Sequence, residues 1–105
     1  MTAYGGNPTT TTPTMATATS VSILTAKPFR KLLIIQNNSA ANIAIGIEGQ
    51  TLTGIVPTVT NKCYVLPSTA GSNILRFTEG FVPSGIVTAY QTSGSTINTV
   101  TVIEG

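Results

Sequence analysis

The sequence predicts an all-β domain, an antiparallel β-sandwich or barrel of about seven to eight short strands with an extended N-terminal arm. Short apolar segments recur every 8–12 residues or so, with Gly, Pro, Asn and Ser between them. Several of these segments alternate apolar and polar residues, and no stretch has a convincing helical period. Parallel strands would need crossover helices, so the sheets are expected to be antiparallel.

Residues 1–19 form a low-complexity segment of Thr, Ala, Pro and Gly. Pro8 and Pro13 exclude a continuous helix or an inner strand. The segment offers few large side chains to bury, so we expect it to be extended and mobile when alone. The predicted organisation is therefore an arm over residues 1–19, lying across a neighbouring subunit, and a β-domain over residues 20–105.

A hairpin forms the predicted centre of this domain. Four consecutive apolar residues, 32–35, lie between two cations and a polar turn, which is typical of a strand covered on both faces. Residues 42–48 alternate strictly and favour a half-buried strand. The polar residues 37–41 have the length and composition of the turn that joins the two strands.

The other predicted strands follow in order, with turn residues separating them. Residues 20–26 form a first strand, which Lys27 and Pro28 end. Later strands are predicted at residues 52–56, 58–66, 73–79, 86–91 and 96–104. The predicted core takes apolar residues from most of these strands: Val21, Ile23, Leu33, Ile35, Ile43, Ile45, Ile47, Val65, Leu75, Phe77, Val87, Tyr90, Val100 and Val102.

Composition favours assembly with other proteins. Charged residues make up 8% of the chain, far below the roughly one quarter expected of a soluble domain. A surface of Thr, Ser, Asn and Gly is cheap to desolvate, because few ions must lose water. The alternative is a small neutral domain of the secreted type.

Charge and hydropathy patterns argue against two partner classes. The net charge is +2 and the pI about 9.0, but the cations form no patch or stripe of the kind that nucleic acids require. The longest apolar run is four residues, against about 20 for a membrane span. The N-terminus also lacks the basic and apolar regions of a signal peptide.

Residue types needed for catalysis or metal binding are scarce. His and Asp are absent, and Cys63 is the single cysteine, which we expect to be a small core residue. Glu48, Glu79 and Glu104 could pair as acid and base, but solvated strand-end charges explain them better. We therefore expect no enzymatic activity, no metal and no cofactor.

Six residues are candidates for contact with a partner protein. Lys27, Arg30 and Lys31 form a local basic group that could meet an acidic surface. Such cations also serve as gatekeepers beside an apolar strand, and this alternative stays open. The arm contributes the other three candidates, Tyr4, Pro8 and Pro13.

Several segments in this order resemble a widespread group of small tailed-phage virion proteins. The resemblance extends over about four-fifths of the chain, and the segments that carry it are individually ordinary β-hairpin sequences. The segments are Ala18-Thr19-Ser20-Val21-Ser22-Ile23-Leu24, Arg30-Lys31-Leu32-Leu33-Ile34-Ile35-Gln36-Asn37-Asn38-Ser39, Ile43-Ala44-Ile45-Gly46, Val82-Pro83-Ser84-Gly85-Ile86-Val87-Thr88-Ala89 and Val100-Thr101-Val102-Ile103-Glu104-Gly105.

The resemblance implies a β-domain on the outer surface of a phage head, as a capsid cement or decoration protein. Its implied partners are the major capsid protein or another virion protein and further copies of itself, as a trimer, with no nucleic acid and no membrane. The alternative is a tail or head fibre or adaptor module that binds a receptor or another virion protein. The chain departs from the group in its Thr-rich front arm and over residues 50–66.

Overall fold

The computed structural model describes residues 8–105 and shows two four-stranded β-sheets that share one core. All pairings between named strands are antiparallel, and the described residues contain no helix, so the predicted sandwich is confirmed. The first sheet has the order β1-β8-β3-β6 and the second β2-β7-β4-β5. The strands are β1 Thr9–Thr11, β2 Val21–Leu24, β3 Leu33–Asn37, β4 Ile43–Gly46, β5 Tyr64–Leu66, β6 Ile74–Phe77, β7 Val87–Gln91 and β8 Val100–Glu104.

The core lies between the inner faces of the two sheets. Its completely shielded side chains come from the two central strands of each sheet: Leu33, Ile35, Val100 and Val102 from β3 and β8, and Ile43, Ile45, Val87 and Ala89 from β4 and β7. Each large side chain buried in this way stabilises the fold by roughly 1.5–3 kcal/mol. The predicted core is therefore confirmed along all four central strands.

Four predicted core positions are wrong, because Val21, Ile47, Val65 and Tyr90 are only half-buried. In β5 the parity is the reverse of the prediction, since Leu66 faces inward in place of Val65. In β7 the predicted Val87 is buried, but Ala89 faces inward in place of Tyr90. Leu75 and Phe77, on the edge strand β6, are also half-buried but pack against the core.

The predicted central hairpin is wrong, because its two strands lie in different sheets: β3 pairs with β6 and β8, and β4 pairs with β5 and β7. Their burial also differs from the prediction. In β3, buried residues alternate with half-buried ones, so one face is open, whereas every residue of β4 is buried. The prediction had these roles exchanged. Residues 47–63 form a loop over the outer face of β4, where one predicted strand, 52–56, is irregular backbone.

Small residues on β4 allow this loop to come close. A Cβ added to Gly46 would lie 2.6 Å from Thr88 Oγ1 and 3.0 Å from Leu52 Cδ2. Leu52 itself is buried, and its amide donates to Ser20 Oγ at 3.0 Å. Thr88 Oγ1 donates to the Gln50 carbonyl at 2.6 Å. The loop is thus fastened to the sheet that it covers.

Residues 9–17, within the predicted arm, are extended and lie along their own domain. Thr9–Thr11 pair with β8 at the edge of the first sheet, a position compatible with the flanking prolines. Met15 belongs to the core with 2% of its surface exposed. The structure therefore ties this part of the arm to the β-domain of the same chain, and its reach across a neighbouring subunit stays a prediction.

Candidate attachment surface

Arg30 anchors the loop between β2 and β3. Its side chain is completely buried and forms an ion pair with Glu104, with Nε donating to Oε1 at 3.1 Å. Nη1 donates to the carbonyls of Pro83, at 2.6 Å, and Gly85, at 3.3 Å. Nη2 donates to the Thr25 carbonyl at 2.9 Å. Four acceptors from three parts of the chain therefore converge on one guanidinium.

This convergence explains why a charged side chain can be buried here. The free-energy cost of removing a guanidinium from water is offset only when its N–H groups form hydrogen bonds with good geometry. Removing one member of such a buried pair costs about 3–5 kcal/mol. Arg30, a predicted partner contact, has no exposed side-chain surface and is engaged inside its own chain. Its role in this structure is to fix the loop.

The loop presents Phe29 to solvent. This side chain is 87% exposed, and its backbone has a φ of 63°, in the left-handed region that a bulky residue rarely adopts. Such a conformation costs about 1–3 kcal/mol and persists only where the surroundings impose it. Hydrogen bonds from the amides of Lys27 to Ser84 and of Lys31 to Gly105, at 2.8 and 2.7 Å, hold the loop on both sides.

Lys27 and Lys31 are both exposed and lie two residues before and after Phe29. We call residues 27–31 the Phe29 loop. Phe29 is its apolar tip, it lies between the exposed Lys27 and Lys31, and the buried Arg30 follows it. Aromatic side chains on rigid supports are the usual energetic centres of protein interfaces. Flanking cations favour a partner with acidic groups around an apolar recess. Sequence reasoning found the two lysines but missed Phe29, which it placed at the start of a strand.

A second apolar group lies where the edge strands β5 and β6 face each other. Phe77 meets Tyr64 and Phe81 edge to face, with ring centroids 5.9 and 6.1 Å apart. Tyr64 and Phe81 are exposed, whereas Phe77 packs against the core. This row closes one side of the sandwich, since it connects the two sheets at their edges.

The tip of the loop over β4 carries two more exposed apolar residues, Val56 and Val59. Its shape depends on Asn61, which is buried. Asn61 Oδ1 accepts from the Thr53 amide at 2.9 Å, and Nδ2 donates to the carbonyls of Gly54 and Val56 at 3.0 and 2.8 Å. The Thr58 amide also donates to the Asn61 carbonyl at 3.0 Å, and Thr58 Oγ1 accepts from the Asn61 amide at 2.9 Å, so Asn61 is the centre of the bonds that hold the tip.

Cys63 lies beside this loop and lines a cavity of about 440 Å³. It is half-buried, outside the core cluster in which we expected it. Burial raises the pKa of the Cys63 thiol, so the reactive thiolate is scarce at neutral pH.

Across residues 8–105, no group of three His, Cys, Asp or Glu side chains is placed to hold a metal ion.

The remaining predicted contacts belong to the arm. Tyr4 lies outside the described residues, Pro8 is exposed and Pro13 is half-buried.

In the part of the chain that the structure describes, no helix is long and apolar enough to cross a bilayer.

No protein-family model, curated protein or solved structure matches this chain. The resemblance to tailed-phage virion proteins therefore depends on the sequence segments that carry it and stays a prediction. The geometry of the exposed residues provides the physical basis for assigning a function.

Proposed function

We propose that this protein is a virion structural protein of a tailed phage, a cement or decoration protein that binds across shell subunits on the outer surface of the head. The observation that carries the proposal is the Phe29 loop. Phe29 has a strained backbone and an almost fully exposed side chain, and the adjacent Arg30 is buried and hydrogen-bonded to four acceptors. Because it is exposed, the Phe29 side chain adds little to the packing of its own fold.

In this proposal, Phe29 enters an apolar recess of the major capsid protein, and Lys27 and Lys31 face acidic groups around that recess. Both lysines and the phenylalanine are exposed, and backbone hydrogen bonds hold the loop that carries them, so little backbone entropy would be lost on binding. The ion-poor surface supports the same role, since few charged groups would have to lose water on contact.

Stabilisation of the head follows from linkage. A protein that binds the assembled lattice, but not the separated subunits, shifts the equilibrium toward the intact shell. A trimer would present three such loops, and each loop that binds raises the effective concentration of the other two. No reaction is required, and the scarcity of catalytic residue types agrees with a structural role.

Heating virions with and without the protein tests the cementing role. Particles that lack it are expected to release their genome at a lower temperature, as measured by dye access to DNA. Equal heat tolerance of the two kinds of particle would contradict the proposal.

The role of the Phe29 loop is tested by rebinding purified protein to particles that lack it. Phe29→Ser should reduce occupancy strongly, because it removes the apolar tip and leaves the Arg30 anchor intact. Val59→Ser is the matched control, since Val59 is 88% exposed on a different loop. An equal loss of occupancy in both variants would show that the Phe29 loop is not the attachment point.

The second candidate function is a fibre or adaptor module that binds a receptor or another virion protein. An uncharged cavity between the β3–β4 turn and the β7–β8 loop favours it. Copy number separates the two candidates, because a decoration protein occurs in hundreds of copies per particle and a fibre in a few. Quantitative mass spectrometry of purified virions would measure this ratio.

A further inference from the structure

The arm reverses direction sharply just before β2. Thr17 forms an isolated parallel bridge with Gln91, and the Ala18 amide donates to the Gln91 carbonyl at 2.7 Å. By Val21 the chain already pairs with Ala89 in the antiparallel direction. The chain therefore turns back on itself between these two pairings, at the end of β7.

The residues at this reversal are poorly suited to a turn. Ala18 has a φ of 53°, in the left-handed region where a Cβ crowds the following carbonyl oxygen. Gly, Asn or Asp normally occupies such a position, but residues 16–24 contain none of them and no proline. Thr, Val and Ile within this segment favour extended backbone instead. The sequence thus prefers a straight strand where the single chain needs a turn.

A straight strand at this point would have a place in the second sheet. β2 begins opposite Ala89 of β7. Continued straight in the same register, β2 would bring Thr19 opposite Gln91, two residues further along each strand. Thr19 would then replace Thr17 at the end of β7, and the left-handed backbone of Ala18 would no longer be needed. The residues before it would lead away from their own domain.

The part of the arm before the reversal binds the domain through a few self-contained contacts. Thr9–Thr11 pair with β8 at the edge of the first sheet and expose their side chains. Met15 occupies a site in the core, where 2% of its surface is exposed, and its amide donates to the Thr96 carbonyl at 2.8 Å. The edge of β8 and the Met15 site are the same on every copy of the chain, so the arm of another copy could make the same contacts.

We propose that residues 9–15 of the arm are exchanged between copies, so that β8 and the Met15 site of each domain receive the arm of a second copy. Strain in a short connection favours such an exchange, because opening the connection relieves it. Residues 16–19 would then connect the two domains, and an extended chain from Met15 to Ser20 spans at most about 17 Å. The two domains must therefore lie in contact, as in a closed dimer or ring.

The exchange identifies the surface of the neighbouring subunit that the arm is predicted to cross. It concerns copies of the isolated protein and requires no capsid. Its failure would leave the cementing proposal intact, and the failure of that proposal would leave the exchange intact.

Cysteines placed across the contact between β1 and β8 report which chain supplies the arm. Thr10 lies opposite Ile103, and directly opposed residues of antiparallel strands are close enough for a disulfide. The variants Thr10→Cys and Ile103→Cys, each also carrying Cys63→Ser, are unfolded, mixed, refolded and oxidised. We expect disulfide-linked pairs of the two variants on a denaturing gel without reductant. Each variant oxidised alone is the control for random collision, and a mixture that gives no more linked chains than these controls would overturn the proposal.

The same two positions can be tested in one chain without refolding. The full chain with both Thr10→Cys and Ile103→Cys, again with Cys63→Ser, is purified and oxidised directly. An exchanged arm gives chains that are linked to one another, whereas an arm bound to its own domain gives monomers with an internal disulfide. Monomers alone would overturn the proposal.

Variants of the reversal test its strain, with the oligomeric state measured by light scattering. Ala18→Pro cannot adopt a positive φ and lacks the amide that donates to Gln91, so we expect it to be entirely oligomeric. Ala18→Gly relieves the strain of the turn and should shift the balance toward monomer by about fivefold. Ala16→Gly is the matched control, because it makes the same replacement where the backbone is not left-handed, and it should leave the balance unchanged.

Two results of this series would contradict the exchange. Equal shifts in Ala18→Gly and Ala16→Gly would show that the strain at Ala18 does not drive it. A purely monomeric unmodified protein would show that the arm remains on its own domain.

Discussion

Strands β3 and β4 are consecutive in the chain but central in opposite sheets, and both direct two branched side chains into the core, but they differ on their outer faces. Ile34 and Gln36 on β3 remain half-exposed, whereas the corresponding positions of β4, Ala44 and Gly46, are covered. The strand with the larger outward-facing side chains is thus the more open one. Covering a sheet requires room for another segment, and small side chains provide that room where long ones do not.

The first prediction concerns the buried side chains that both strands contribute to the core. Ile35→Ala and Ile45→Ala should each lower the free energy of unfolding by about 2–5 kcal/mol, since both side chains are completely buried. Urea denaturation followed by circular dichroism measures the change. A loss below about 1 kcal/mol in either variant would contradict the shared core.

The next prediction tests the outer faces. Leu52→Ala removes a buried side chain from the loop over β4 and should cost at least about 2 kcal/mol. Ile34→Ala, its counterpart on the open face of β3, should cost only about 1 kcal/mol. Equal losses of stability in the two variants would show that Leu52, in the loop, is no better buried than Ile34 on the open face of β3.

Gly46 provides a sharper test of close approach. Gly46→Val should destabilise the protein by about 1–3 kcal/mol, because the new side chain would meet Thr88 and Leu52. Gln36→Val is the control, since it places the same residue on the half-exposed outer face of β3. Thermal unfolding of the two variants would show whether only β4 requires a small residue.

The smallest effect concerns Cys63, which reports whether the loop over β4 stays in place. Because burial raises the pKa of its thiol, alkylation by iodoacetamide should be slower than for an exposed thiol and should accelerate as the pH rises. Gly46→Val should increase this rate by displacing the loop. An unchanged rate would mean that the loop keeps its position.

The sequence was sufficient to predict the sandwich and most of the core, because turn residues and branched strands are local signals. It could not predict parity where a small residue faces inward, as Ala89 does beside Tyr90. Parity depends on which face the partner sheet covers, and this information is not local.

The site residues show the same limit. Arg30 had the sequence pattern of a solvent-facing gatekeeper, yet its acceptors come from residues 25, 83, 85 and 104, which only the folded chain brings together. The left-handed backbone of Phe29, the residue before Arg30, is likewise signalled by no residue-type preference. The uncharged cavity also joins residues about 55 positions apart along the chain.

The position of β8 has a consequence for how the protein is made. β8 lies between β1 and β3 in the first sheet, yet the ribosome delivers it after the other seven strands. Until it emerges, β3 has a sheet neighbour on one side only, β6, and β1 has none, so this sheet covers its half of the core incompletely. Folding during translation therefore cannot complete this sheet, and a stall upstream of Val100 would leave a nascent chain prone to aggregation.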